Sequence, residues 1–293
     1  MLKQYTGPLL IIIAALLWAF DGVIRRYLYA LPPITIIFFE HLFGLIILFP
    51  FVYKYILKTK FTKREFFLVI LVSILSGLLG TLWFTTALLQ VHSISFSVVF
   101  LLQKLQPIFA ITTARIFLKE QLDKRYIKWA LLAIFSAFFV TFPNGWINFQ
   151  TGEGTIIAAL YALGAAFAWG SSTTFSKMLL GKIDFKVSTF YRFFVTILIA
   201  LPLLFLFGNT NGGGLSIPNL SQFALLALIA VSTGMVALLI YYKGLAMTFP
   251  FIAILIDMQL YHTVLLPSQW IASIALVFSI YQIAKLREEN KIL

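Results

Sequence analysis

Five ionisable residues stand inside stretches that are otherwise apolar: Asp21, Glu40, Lys104, Arg192 and Asp257. A charge at the centre of a bilayer costs ~2.5–3.5 kcal/mol on insertion scales, so such residues persist where a partner, water or a ligand meets them. At 1.5 Å per helical residue, Glu40, Asp21 and Lys104 lie roughly 10, 12 and 14 Å below one membrane face. Arg192 and Asp257 lie about 8–12 Å from the other. Lys104 is therefore expected to pair with Glu40 or Asp21, and Arg192 with Asp257. A carboxylate not fully neutralised could bind an ammonium group or a proton, and a released lysine could bind a carboxylate.

Lys104 sits in "FLLQKLQPIF" (100–109). Gln103 lies about 100° from it around a helix and Gln106 about 200°, so they form no tight cluster and at most Gln103 shares its face. Pro107 lacks an N–H and frees the carbonyl of Gln103, which protein or a wet cavity must satisfy. Trp18, Trp83, Trp169 and Tyr241 are candidate walls of such a cavity, with Phe84, Tyr191 and Tyr242. His41 faces away from Glu40 and reads as a packing histidine.

Hydrolytic or metal chemistry needs other constellations. His41, His92 and His262 are scattered, the two buried aspartates fall in opposite layers, and there is no cysteine. No phosphate-binding lysine loop is present; "GNTNGGGLSIPNLS" reads as an external connection. An enzyme, a cofactor and a nucleic-acid partner are therefore not expected.

The elements that carry these residues are long and apolar. Of 293 residues, 61% are hydrophobic and 11% charged, with mean hydropathy +0.98; a soluble domain carries about 25% charge. Apolar runs long enough to span hydrocarbon recur throughout. The spacing predicts an all-α membrane protein with ten spans, at 8–29, 34–53, 66–89, 95–118, 126–143, 154–178, 187–207, 222–243, 249–264 and 268–285. Lysines and arginines gather after spans 2, 4, 6 and 10 and are missing after spans 3, 5, 7 and 9. Both termini are thus expected in the cytoplasm, and the net charge of +12 reads as topology. Arg25 and Arg26, at the far end of span 1, break that pattern.

The halves resemble each other. An offset of 151 lays Trp18 on Trp169, 152 lays Glu40 on Arg192 and Pro50 on Pro202, and 157 lays Gly77 on Gly234. Further on, "PIFAITTARIFLKEQL" meets "PFIAILIDMQLYHTVL" at 143. Two five-span repeats, 1–149 and 150–293, are expected. An odd number of spans inverts the second copy, as in transporters that alternate access around a site between repeats. The fall in offset removes about 14 residues between spans 8 and 9, so span 9 is expected to be short.

Ten spans in two such repeats resemble the drug/metabolite transporter superfamily, EamA-type. "LLWAFDG" and "FAWGSS" resemble its early tryptophan motifs. "LQPIFAITTARIFLKEQL", with Glu120 at its cytoplasmic end, resembles its fourth helix, and "LPSQWIASIALVFSIYQI" its last. The shortened span 9 departs from the pattern, lacking the polar residue before its proline. The resemblance implies a secondary-active exporter of a small polar metabolite, such as an amino acid, in the cell inner membrane. It leaves room for a coupling proton and a homodimer. The alternative is a non-transporting scaffold, favoured by the short span 9 alone.

Overall fold

Backbone polar groups in hydrocarbon must be satisfied within the chain, and helices do this segment by segment. The computed structural model describes residues 17–18, 20–90, 96–119, 124–146, 153–180, 182–208, 216–237 and 266–292, and among these it is all-helical, with no strand. The helices are α1 (20–26), α2 (Pro33–Ile56), α3 (Lys63–Leu89), α4 (Phe96–Gln103), α5 (Gln106–Phe117), α6 (Lys124–Thr141), α7 (Glu153–Leu180), α8 (Phe185–Phe207), α9 (Leu220–Val236) and α10 (Pro267–Ile292). Among the described residues, α2, α3, α7 and α8 are long and apolar enough to cross a membrane. Their outward faces stay greasy: Phe49, Phe51, Leu198, Phe205 and Phe207 are exposed. A water-soluble helix reverses that pattern. Span 9 lies outside the described residues.

The chain divides into two compact units that do not follow the halves of the sequence. One takes Met1–Thr85 and Phe175–Phe249, the other Thr86–Thr174 and Pro250–Leu293.

In the first unit, α3 and α9 are built alike. Thr62 and Glu65 close a capping box at the start of α3, with Glu65 N–H donating to Thr62 Oγ1 (3.3 Å) and Thr62 N–H to Glu65 Oε2 (2.8 Å). Asn219 and Gln222 do the same for α9. Each box satisfies two N–H groups that a helix start leaves orphaned. Further along, both helices widen into π-helix, at Ser73–Gly80 and Ala230–Val236. The offset of 157 carries Thr62 onto Asn219, Glu65 onto Gln222 and Ser73 onto Ala230.

α2 runs antiparallel to α8, its partner at offset 152. Gly44 meets Phe193, Phe49 meets Phe190 with centroids 6.0 Å apart, and Ile34 packs with Ala200 and Leu204. A Cβ on Gly44 would lie 2.8 Å from the Phe193 ring, so a larger residue there would push the ring aside. The register centres near Phe43 and Val195, which the same offset superposes. Two copies of one helix thus pack about the point where each meets its own image.

In the second unit, α6 lies along α10. Trp129 meets Phe278 edge-on at 5.4 Å, and Ile283 is buried with Ile111, Tyr126 and Ala130. The Tyr126 hydroxyl donates to Ile108 O (2.9 Å), and Gln269 Nε2 to Val140 O (2.8 Å). The span expected at 95–118 is broken, α4 ending at Gln103 and α5 starting at Gln106.

Candidate functional site

The polar centre of the first unit is Arg25. Its Nε donates to Asp21 Oδ2 at 2.6 Å, its Nη2 to Glu40 Oε2 at 2.8 Å and its Nη1 to Thr85 Oγ1 at 3.0 Å. All four residues are buried. Asp21 and Arg25 stand one turn apart on α1, the spacing that stacks side chains on one helix face. Glu40 comes from α2 and Thr85 from α3. A guanidinium is planar, keeps its charge and carries five donors, so it can hold two carboxylates and a hydroxyl together.

This corrects the expected pairing. Among the described residues, the cation on Asp21 and Glu40 is Arg25, where Lys104 was expected. The sequence pointed to Lys104 because three depths matched, but depth along a helix does not say which side faces which neighbour. The signal for Arg25 was present: an arginine four residues after a buried aspartate, where charge topology called for none.

Lys104 belongs to the second unit and sits in the break between α4 and α5. Lys104 N–H is shared by Phe100 O (3.2 Å) and Leu101 O (3.1 Å), Leu105 N–H donates to Leu102 O, and Ile108 N–H to Leu105 O. The three-residue bonds tighten the chain where Pro107 cannot donate. Among the described residues Lys104 has no ion-pair partner; its ammonium lies 6.0 Å from the Phe100 ring centre, at the outer limit of a cation–π contact. Gln103, half-buried, ends α4.

The "FAWGSS" motif builds the seat of α5. A Cβ on Gly170 would lie 2.5 Å from Gln106 O and 2.9 Å from Phe109 Cβ. Thr113 Oγ1 donates to Ser171 Oγ at 3.2 Å, Thr174 Oγ1 to Ala110 O at 3.0 Å, and Phe167 meets Phe109 edge-on. These small residues let two backbones touch. Trp169, half-buried, stands beside that seat. Trp18 and Trp83, also half-buried, belong to the first unit.

Arg192, on α8, reaches α3. Its Nη2 donates to Ser76 O at 3.4 Å, and Thr196 Oγ1 donates its one proton mainly to Arg192 O (2.7 Å), with Ser73 O at 3.4 Å as the weaker arm. Thr81 Oγ1 donates to Ser76 O as well, at 3.1 Å. These donors meet carbonyls of the π-helical turn. The matching position on α2 is Glu40, whose Oε1 lies beside the second π-helix, 3.8 Å from where a Cβ on Gly234 would be. A carboxylate cannot donate to a carbonyl, so Glu40 turns its other oxygen to Arg25. His41, expected as a packing residue, donates Nδ1–H to Ile37 O (2.9 Å) and meets the Phe193 ring edge-on. It stands within electrostatic reach of both Arg192 and Arg25.

The structure thus joins Asp21 and Glu40, and sets Arg192 on the neighbouring helix seam. Gln103, Lys104 and Trp169 belong to the other unit. Tyr241 and Asp257 lie outside the described residues, and so does the expected Arg192–Asp257 pair. Among the described residues no cluster of His, Asp and Glu could hold a metal ion.

The model of the EamA-like transporter family matches residues 5–142 and again 156–284. The riboflavin transporter ImpX of Fusobacterium nucleatum subsp. nucleatum is 34% identical over 295 residues, 96% of this chain and 98% of that protein. A crystal structure of another protein is similar over 97% of both chains with a TM-score of 0.62. At 14% identity it shows the fold alone. With two matched stretches and a near full-length relative, the chain is a multi-pass membrane transporter and belongs to the EamA-like transporter family.

Proposed function

We propose that this transporter moves riboflavin or a closely similar flavin, by alternating access between two inverted repeats. The observation that carries the reading is the 34% identity to a riboflavin transporter along nearly the whole of both chains. The site is compatible with a neutral solute. The two buried carboxylates of the first unit, Asp21 and Glu40, are held by Arg25, so an ammonium group would have to compete with a buried guanidinium. That weighs against an amino acid. The paired π-helices support alternating access, because such bulges are weak points at which a helix can change register, and they recur at functional sites.

Riboflavin fluorescence offers the test. Purified protein is expected to quench it saturably, and proteoliposomes to take up riboflavin but not amino acids. Uptake of amino acids with no riboflavin binding would overturn the reading. Binding without flux would favour the scaffold alternative. Right-side-out and inverted vesicles test the export expected from the resemblance, an imposed pH difference tests a coupling proton, and light scattering tests a homodimer.

The same proposal places the protein in the cell inner membrane with both termini cytoplasmic, and divides it at 149/150. The two family matches fall on either side of that division. With no native cysteine, single introduced cysteines report topology directly. Lys60→Cys, in the basic connection, is expected to react with a membrane-impermeant thiol reagent from the cytoplasmic side. Ser221→Cys, at the start of α9, is expected to react from outside. Labelling of both from one side would overturn the orientation.

A further inference from the structure

Among the described residues, Arg192 holds donors that go largely unused. Its Nη2 makes one long bond, 3.4 Å, to Ser76 O. Its Nε is buried with no hydrogen-bond partner. Among the described residues no carboxylate lies within ion-pair distance of it. An unsatisfied buried donor on a charged group is costly, and an ionisable residue inside a membrane protein is by default on a substrate path. The contrast with Arg25 is internal to the unit: there every nitrogen has an acceptor at 3.0 Å or less.

The surroundings keep the guanidinium in place without consuming it. Thr196, one turn on, ties α8 to Ser73 O, and Ser76 O takes its main donor from Thr81 at 3.1 Å. His41 is already committed through Nδ1 to Ile37 O. Glu40, the matching residue on α2, is held by Arg25. Next to Arg192 on the antiparallel seam, Phe193 packs on Gly44 and His41 of α2. Among the described residues of its unit, the fork therefore has no carboxylate within ion-pair distance.

We infer that Arg192 donates to adjacent acceptors on the transported molecule, and so selects a planar ring carrying a carbonyl oxygen next to an unprotonated ring nitrogen. A guanidinium presents parallel N–H groups that suit two neighbouring acceptors, which an ammonium cannot match. A flavin offers two such edges, C2=O with N1 and C4=O with N5. The inference rests on the flavin reading above and adds the residue that recognises the ring.

Calorimetric titration of the purified full-length protein tests it, with riboflavin, 2-thioriboflavin and 4-thioriboflavin as probes. Sulfur is a weak acceptor, so wild type is expected to bind one thio analogue about tenfold more weakly than riboflavin. Arg192→Gln is expected to bring that ratio close to one. Arg192→Lys, which keeps the charge and loses the fork, is expected to give an intermediate ratio, and it serves the same test if Arg192→Gln does not fold. A residue that only supports the π-helix would weaken all three ligands equally. An unchanged ratio in the variants, or no discrimination by wild type, overturns the inference alone. Failure of wild type to bind riboflavin at all overturns the flavin reading and this inference with it.

Discussion

Arg25→Met is expected to destabilise the protein by about 3–5 kcal/mol, the usual cost of leaving buried charge without its partner. Arg25 is 3% exposed, and it is the shared counter-ion of Asp21 and Glu40, which are 6% and 8% exposed. With the guanidinium gone, two carboxylates face each other in an apolar setting. One of them must take up a proton or the unit must open to water. Purified Arg25→Met should melt well below wild type in the same detergent, if it accumulates at all. The triple change Asp21→Asn, Arg25→Met, Glu40→Gln removes the charges together and should recover most of the loss, since a buried ion network can often be replaced by neutral groups at little cost. Lys104→Met is the control. It orphans no described carboxylate, so its loss should be much the smaller. If Lys104→Met melts as low as Arg25→Met, Arg25 is not the counter-ion that holds this centre.

That contrast also shows where the sequence stopped being legible. Apolar length was readable: spans expected at 34–53, 66–89, 154–178 and 187–207 are found as Pro33–Ile56, Lys63–Leu89, Glu153–Leu180 and Phe185–Phe207. The inner placement of Asp21 and Glu40 was readable for the same reason, since each interrupts an apolar run. Their partner was not. Arg25 lies in the last turn of α1, just before the turn at Tyr27–Ala30. Position along the chain therefore placed it at a membrane face, while the direction of its side chain depends on how α1 packs. The π-helices were equally hidden. "SILSGLLG" has no proline, and the freed carbonyls of Ser73 and Ser76 are met by Thr196 and Arg192, more than a hundred residues away in sequence. The break at Lys104 was half legible. Pro107 announced the loss of a bond, but the missing Cβ of Gly170 that lets α7 seat the restarted helix is a tertiary fact.

Two of the close glycine contacts, at Gly77 and Gly170, make opposite predictions about rescue. A Cβ on Gly77 would fall on Thr196 Oγ1, well inside van der Waals contact, with Thr196 Cβ and Cγ2 next at 3.1 and 3.2 Å. A Cβ on Gly170 would meet the backbone oxygen of Gln106 at 2.5 Å and the backbone nitrogen of Ala110 at 3.2 Å. Overpacking a close contact costs about 1–3 kcal/mol, and both Gly77→Ala and Gly170→Ala should lower the melting temperature accordingly. At Gly77 the obstacle is mainly a side chain. Thr196→Ala removes the offending oxygen and Cγ2, so the double variant Gly77→Ala, Thr196→Ala should be more stable than Gly77→Ala alone, although Thr196 also gives up its bond to Ser73 O. At Gly170 the obstacle is main chain. Trimming Phe109 to alanine leaves its Cβ and the Gln106 oxygen in place, so Phe109→Ala should not rescue Gly170→Ala. Because α5 must shift away from α7 to admit the methyl group, Gly170→Ala should sit at the upper end of that range. Rescue of Gly170→Ala by Phe109→Ala, or a melting temperature within about a degree of wild type, would show that the two backbones do not approach this closely.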